Sequence, residues 1–219
     1  MNGLTHKIAL VTGGSRGLGR KAVALPLDVG ETKSFPAFAE ALGEALEQKW
    51  GRKHFDFLVN NAGIDSSAPF PAMTEENFDL LCNVHFKGVY FLTQRLLPAI
   101  ADGGRIVNLS TGLARFSIPG YSAYAAMKGA VEVFTRYLAK ELGPRRISAN
   151  LVAPGAIETD FTKSAFDSHP GMKEMIASST ALGRVGVADD IGGVVAFLCS
   201  EEGRWVNAQR IEASGGIFL

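Results

Sequence analysis

Short, almost continuously apolar runs alternate along this chain with longer stretches in which apolar positions recur at helical spacing. KIALVT (7–12), KAVALPLDV (21–29), FDFLVNN (55–61), GRIVNLS (104–110) and RISANLVAP (146–154) read as strands, with RIEAS (210–214) a weaker sixth. The helical pattern covers 31–50, 74–101, 121–143 and 188–200, with a short helix near 172–179. Runs that are apolar throughout, rather than on alternate residues, belong to parallel strands covered on both faces. Strands and helices in alternation predict an α/β fold, a doubly wound parallel sheet with helices on both sides. No repeat, low-complexity tract or linker interrupts the pattern, so the expectation is one domain over 1–219.

One joint does not fit. Only GGSRGLGR separates the end of the first strand, near Thr12, from the run that starts at Lys21. A crossover between parallel strands takes a dozen or more residues, usually including a helix. Either the run at 21–29 folds back as an antiparallel hairpin, or a helix-strand-helix segment is lacking after Arg20. The second keeps the rest of the pattern parallel and is preferred.

Composition narrows the field. The chain has 219 residues, 47% hydrophobic and 20% charged, with formal net charge zero, enough to bury a substantial core. Zero net charge with no basic run gives no footprint for nucleic acid; the pair Arg145-Arg146 suits a solvated helix end. Cys82 and Cys199 lie far apart in apolar surroundings, without Cys-x-x-Cys spacing or companion histidines, and read as reduced thiols with no metal site. IALV is too short for a signal segment, and no stretch approaches the ~18 apolar residues of a membrane span. The expectation is a soluble cytoplasmic protein.

Two motifs carry chemistry. TGGSRGLG (12–19) places Gly13, Gly17 and Gly19 between a strand and a helix, where tight backbone turns can meet a pyrophosphate at a helix N-terminus. The same letters contain Gly-x-Ser-x-Gly, the nucleophile elbow of serine hydrolases. That reading makes Ser15 a nucleophile and leaves only His169, in the loop DSHPG, as its base. In YSAYAAMKGA (121–130), Tyr124 and Lys128 stand four apart and share a helix face. A phenol, with a pKa near 10, needs a nearby cation to become a useful acid or base, and Lys128 is placed to supply one.

LDV (27–29), NNAG (60–63) and APGAIET (153–159) fall at strand ends, where ligands bind in doubly wound sheets. With TGGSRGLG and YAAMK, in this order, they resemble the short-chain dehydrogenase/reductase family, most closely its 3-oxoacyl-carrier-protein reductase-like members. The likeness runs from Lys7 to the C-terminus, apart from the gap after Arg20. It implies a Rossmann fold and an NAD(P)-dependent oxidoreductase that interconverts a ketone and a secondary alcohol. Tyr124 would be the acid–base, and Lys128 would also bond the nicotinamide ribose. Thr111, thirteen residues before Tyr124, stands where the family has a serine. His85 stands where an asparagine holds a water of the proton relay; its other reading is a histidine satisfying a backbone carbonyl. Gly13, Ser15, Arg16, Gly17, Leu18 and Gly19 would hold the pyrophosphate and adenosine ribose, with Asp28 and Val29 at the adenine. Asp28 could equally cap its own loop. Asn60, Ala62 and Gly63 would line the middle of the cofactor, and Pro154, Gly155, Ile157 and Thr159 its nicotinamide end. The residue that selects NAD(H) or NADP(H) belongs about 20 residues past the glycine loop, where this chain has nothing. Arg16 leans toward NADP(H). The resemblance further implies a substrate lid around 156–180, substrate choice there and at 112–120, and a homotetramer packed through helices 74–101 and 121–143. A dinucleotide sensor without turnover is the alternative, motivated by Thr111, His85 and the missing segment.

Overall fold

A computed structural model describes residues 4–14 and 22–219. Its strands are β1 (Ala9–Val11), β2 (Phe55–Asn60), β3 (Ile100–Leu109), β4 (Ser148–Pro154), β5 (Ile157–Glu158), β6 (Gly186–Val187) and β7 (Arg210–Ala213). Five form one sheet in the order β1-β2-β3-β4-β7, every neighbouring pair parallel, and β5 with β6 makes a two-stranded parallel pair beside it. The helices are α1 (Phe35–Trp50), α2 (Glu75–Cys82), α3 (Gly88–Leu96), α4 (Ser122–Glu141), α5 (Asp160–Ser168), α6 (Met172–Ser178) and α7 (Ala188–Cys199).

The apolar runs form a sheet because both faces are covered. Every residue of β2 is buried, and from Phe57 to Val59 its side chains alternate between two cores, as the strand period requires. Leu58 joins Ile106 under Phe38, Leu42 and Leu46 of α1, Leu92 and Leu96 of α3 and Leu138 of α4. Phe57 and Val59 join Val107 and Val152 against Leu198 and Cys199 of α7. α1 starts with a proline in its first turn and stops at Gly51, whose φ of 61° closes the helix in the left-handed region. The register sets Asn60 opposite Asn108 and Leu109 opposite Val152, so the strand C-termini meet at one sheet edge.

The segment 21–29 corrects an expectation. Residues 22–28 form no strand, and among the described residues β1 is paired with β2 alone. The hairpin reading fails with it. Leu25, Leu27 and Val29 satisfy their apolar character by packing onto the first core without entering the sheet. A cavity of about 1100 Å³ opens between β1, the 22–27 segment and Phe38, Leu42 and Trp50 of α1, and Val11 faces it 46% exposed. The chain then passes so close to α3 that a Cβ on Gly88 would lie 2.1 Å from the Val29 carbonyl oxygen.

The expected helix 74–101 is also broken. Thr74 caps α2 by accepting from the Asn77 amide at 3.3 Å. A π turn at Asn83–Lys87, holding His85, then separates α2 from α3. Pro98 lies in the 3-10 turn that ends the helix, and β3 begins at Ile100. The helix α5 was not anticipated. No described helix is long and apolar enough to cross a membrane.

Candidate active site

The strand ends are wired together before any functional group is placed. Asn60 Nδ2 donates to Asn108 Oδ1 at 2.8 Å and to Thr93 Oγ1 at 3.0 Å, and Asn108 Nδ2 donates to Thr135 Oγ1 of α4 at 2.8 Å. Asn60 Oδ1 is buried with no partner among the described residues. Thr12 Oγ1 accepts from the amides of Asn61 and Ala62 at 3.0 and 2.9 Å. A Cβ on Gly13, whose φ is +70°, would fall 2.9 Å from Ala62 Cα. A glycine is therefore required where the end of β1 meets the 60–63 corner. Ser15, Arg16, Gly17, Leu18 and Gly19 lie outside the described residues.

Tyr124 and Lys128, on the first turns of α4, face the end of β3. Lys128 Nζ sits 5.7 Å from the centroid of the Tyr124 ring and donates to the Leu109 carbonyl at 2.8 Å. Thr111 Oγ1 accepts from the Leu113 amide at 3.2 Å and its hydroxyl bonds the Tyr124 phenol. His85, presented by the π turn, meets Tyr124 edge-on, its ring centroid 4.9 Å away at 90°. Its Nε2 lies 2.9 Å from the Ile64 carbonyl oxygen, so the hydrogen is assigned there. Nδ1 is buried without a partner among the described residues. The carbonyl that His85 satisfies thus belongs to the loop after β2, not to its own helix.

Burial governs the ionisation of this corner. It pushes the Tyr124 phenol up to about 12; the Thr111 hydroxyl works against it, and the charges of Asp65 and Tyr121 reinforce it. Burial pushes Lys128 down to about 8. His85 falls to about 4, first by burial and then by the nearby Lys128 charge, so its imidazole is neutral at pH 7. The Lys128 ammonium is turned to the Leu109 carbonyl, and withdrawal from water governs both groups.

The other candidates divide. Pro154 ends β4, and the Gly155 amide donates to the Ala213 carbonyl at 3.1 Å, carrying the chain across the end of β7. Ile157 then pairs with Gly186, and the Thr159 carbonyl accepts the Lys163 amide in the first turn of α5. Asp28 caps its own loop, its Oδ1 accepting the Gly30 amide at 2.8 Å, while Val29 packs inward. Four charged residues went unmarked in the sequence: Asp65, whose carboxyl pKa is raised by burial beside Tyr124, and Arg115, Glu132 and Arg210. Glu132 amid apolar helix positions and Arg210 in a strand were the signals available.

Residues 9–217 match the family model described as enoyl-(acyl carrier protein) reductase. The chain is 37% identical over 210 residues to tetrahydroxynaphthalene reductase PfmaG of Pestalotiopsis fici, covering 91% of this chain and 74% of that protein. Hydroxynaphthalene reductase-like protein Arp2 of Metarhizium brunneum is 34% identical over 260 positions, covering 97% of this chain and 95% of its own length. A 260-position alignment to a 219-residue chain leaves at least 41 positions of that relative without a counterpart here. The structure of angucycline C-6 ketoreductase LanV with bound NADP superposes with a TM-score of 0.90 at 33% identity, covering 99% of this chain and 97% of that one. These relatives are reductases, which leaves the hydrolase reading of Ser15 without support.

Proposed function

Because the chain belongs to the short-chain dehydrogenase/reductase family, we propose that it is a ketoreductase for neutral ring ketones, using Tyr124 as the acid–base. Carbonyl–alcohol chemistry with a nicotinamide dinucleotide follows from the family and its ketoreductase relatives; the residue roles and substrate class are inferred. The observation that carries the reading is the convergence of Thr111, Tyr124, Lys128 and His85 at the end of β3.

The donor set suits a nicotinamide cofactor. An ammonium, a hydroxyl, a phenol and a neutral imidazole occupy one corner, and the backbone at Gly13 leaves no room for a side chain. Asn60, Ala62, Gly63, Pro154, Gly155, Ile157 and Thr159 would line its central and nicotinamide portions, and 12–19 its pyrophosphate. When bound, the nicotinamide supplies hydride to the carbonyl carbon. Tyr124 keeps its proton at neutral pH and donates it to the oxygen that gains charge. Thr111 orients that phenol. Lys128, turned from Leu109 to the ribose, would bring its charge to bear on the phenolate left behind. His85, neutral and with Nδ1 free of any described partner, meets the Tyr124 ring edge-on and offers a hydrogen-bond acceptor there.

Asp65 favours uncharged substrates. Its carboxylate acts electrostatically on Tyr124, and an anionic thioester carrier would enter against that charge. The relatives named for hydroxynaphthalene and angucycline ketone reduction fit this preference. NADP(H) is the preferred cofactor, as in the LanV structure; 156–180 serves as the lid, and the assembly is a homotetramer. The test is a substrate panel with NADPH and NADH: 2-tetralone and hydroxylated naphthalenones against acetoacetyl-coenzyme A. Ring ketones should show kcat/KM at least tenfold higher. A preference for the thioester would overturn the substrate class, and cofactor binding without turnover on any carbonyl would make the protein a sensor.

A further inference from the structure

Three consecutive positions at the end of β3 are each held by a charged side chain. Lys128 donates to the Leu109 carbonyl at 2.8 Å, Ser110 Oγ donates to Glu132 Oε1 at 2.7 Å, and Arg210 Nη2 donates to the Thr111 carbonyl at 3.0 Å. The first two anchors stand four apart on α4; the third comes from β7, two strands away in the sheet. We propose that Arg210, aimed by Glu132 and Glu212, is a positioning residue that fixes Thr111 against Tyr124. The assignment rests on the ketoreductase reading above.

The guanidinium has no freedom left to swing. Its Nε donates to Glu132 Oε1 at 2.8 Å and its Nη1 to Glu212 Oε2 at 2.9 Å, so the third edge must point at Thr111. A planar fork satisfies three acceptors in fixed directions, which a lysine cannot do. Glu212 is itself clamped by Arg115, through Nε at 2.9 Å and Nη2 at 2.6 Å, and by Ser214 Oγ at 2.9 Å. Arg115 also donates to the carbonyls of Ile217 and Phe218, at 2.7 and 3.2 Å. The network therefore joins both sides of the loop that begins at Thr111. The Thr111 oxygen accepts from the Leu113 amide, and its hydroxyl bonds the Tyr124 phenol. Its aim depends on how the Thr111 peptide is held, and Arg210 holds that peptide.

A double-mutant cycle separates positioning from plain stabilisation. Arg210→Met should lower kcat for ring-ketone reduction about tenfold with KM for NADPH unchanged. In a Thr111→Ala background the same change should cost less than twofold, because the group it positions is gone. Arg210→Lys should recover part of the loss. If Arg210→Met does not fold, Glu132→Gln takes its place in the cycle, with a two- to threefold loss expected and the same non-additivity. Losses that multiply in the Thr111→Ala background, or an unchanged kcat, overturn the assignment. Tyr124→Phe, run alongside, reports on the underlying reading: if it destroys turnover while the Arg210 cycle is additive, only the positioning role fails. A parent enzyme without turnover, or one indifferent to Tyr124→Phe, removes both.

Discussion

At the scale of single residues, the site is governed by burial more than by charge. The phenol of Tyr124 and the ammonium of Lys128 share a helix face, as their spacing requires, yet each is pushed toward its neutral form. Spacing alone reports which side chains are neighbours; it does not report the cost of removing both from water. His85 shows the same limit. Its place in the order of motifs was legible, but its contact with Tyr124 and its bond to Ile64 depend on the π turn that carries it. The depressed pKa of His85 has a consequence for stability. Unfolded, the imidazole titrates near 6.5, and folded near 4, so protonation favours the unfolded chain. Its contribution is fully present above about pH 6.5 and is lost as pH falls toward 4, about 3 kcal/mol in all. Urea unfolding of the parent and His85→Asn at pH 7, 6 and 5 should show a steeper acid loss in the parent. Parallel losses would contradict the buried neutral imidazole.

At the scale of elements, continuous apolar runs marked β2, β3 and β4 correctly because strands covered on both faces need apolar side chains at every position. The same reasoning misplaced 21–29. An apolar coil laid against a core has the same composition as a strand, and only hydrogen-bond partners tell them apart. The pair β5–β6 spans two residues per strand and carries no period to read. α5, at Asp160–Ser168, lay within the segment taken as a lid. The cavity beside β1 makes a packing prediction. Leu42 lines it, whereas Leu58 lies fully buried in mid-sheet. Truncating a core leucine costs ~2–5 kcal/mol depending on the cavity left. Leu42→Ala, with fewer atoms around it to lose, should fall near the lower end and Leu58→Ala near the upper, measured by urea unfolding. Equal costs would mean that the space beside α1 is packed.

At the scale of the molecule, five motifs in order identified the family, and the arithmetic of the first joint pointed to a lacking segment. Eight residues cannot cross a sheet, and the alignment with Arp2 runs at least 41 positions longer than this chain. Among the described residues the sheet ends at β1, a three-residue strand; so short an edge offers little for another strand to pair with. The candidate catalytic corner lies at the C-terminal ends of the strands and is built from the ends of β2 and β3, α4 and the π turn. The most direct test of this account is a single-turnover experiment with enzyme-bound NADPH and a ring ketone, comparing the parent with Tyr124→Phe. The account expects nicotinamide absorbance to decay in the parent, and to decay at least a hundredfold more slowly in the variant with NADPH binding retained. Decay at the parent's rate in Tyr124→Phe would contradict it.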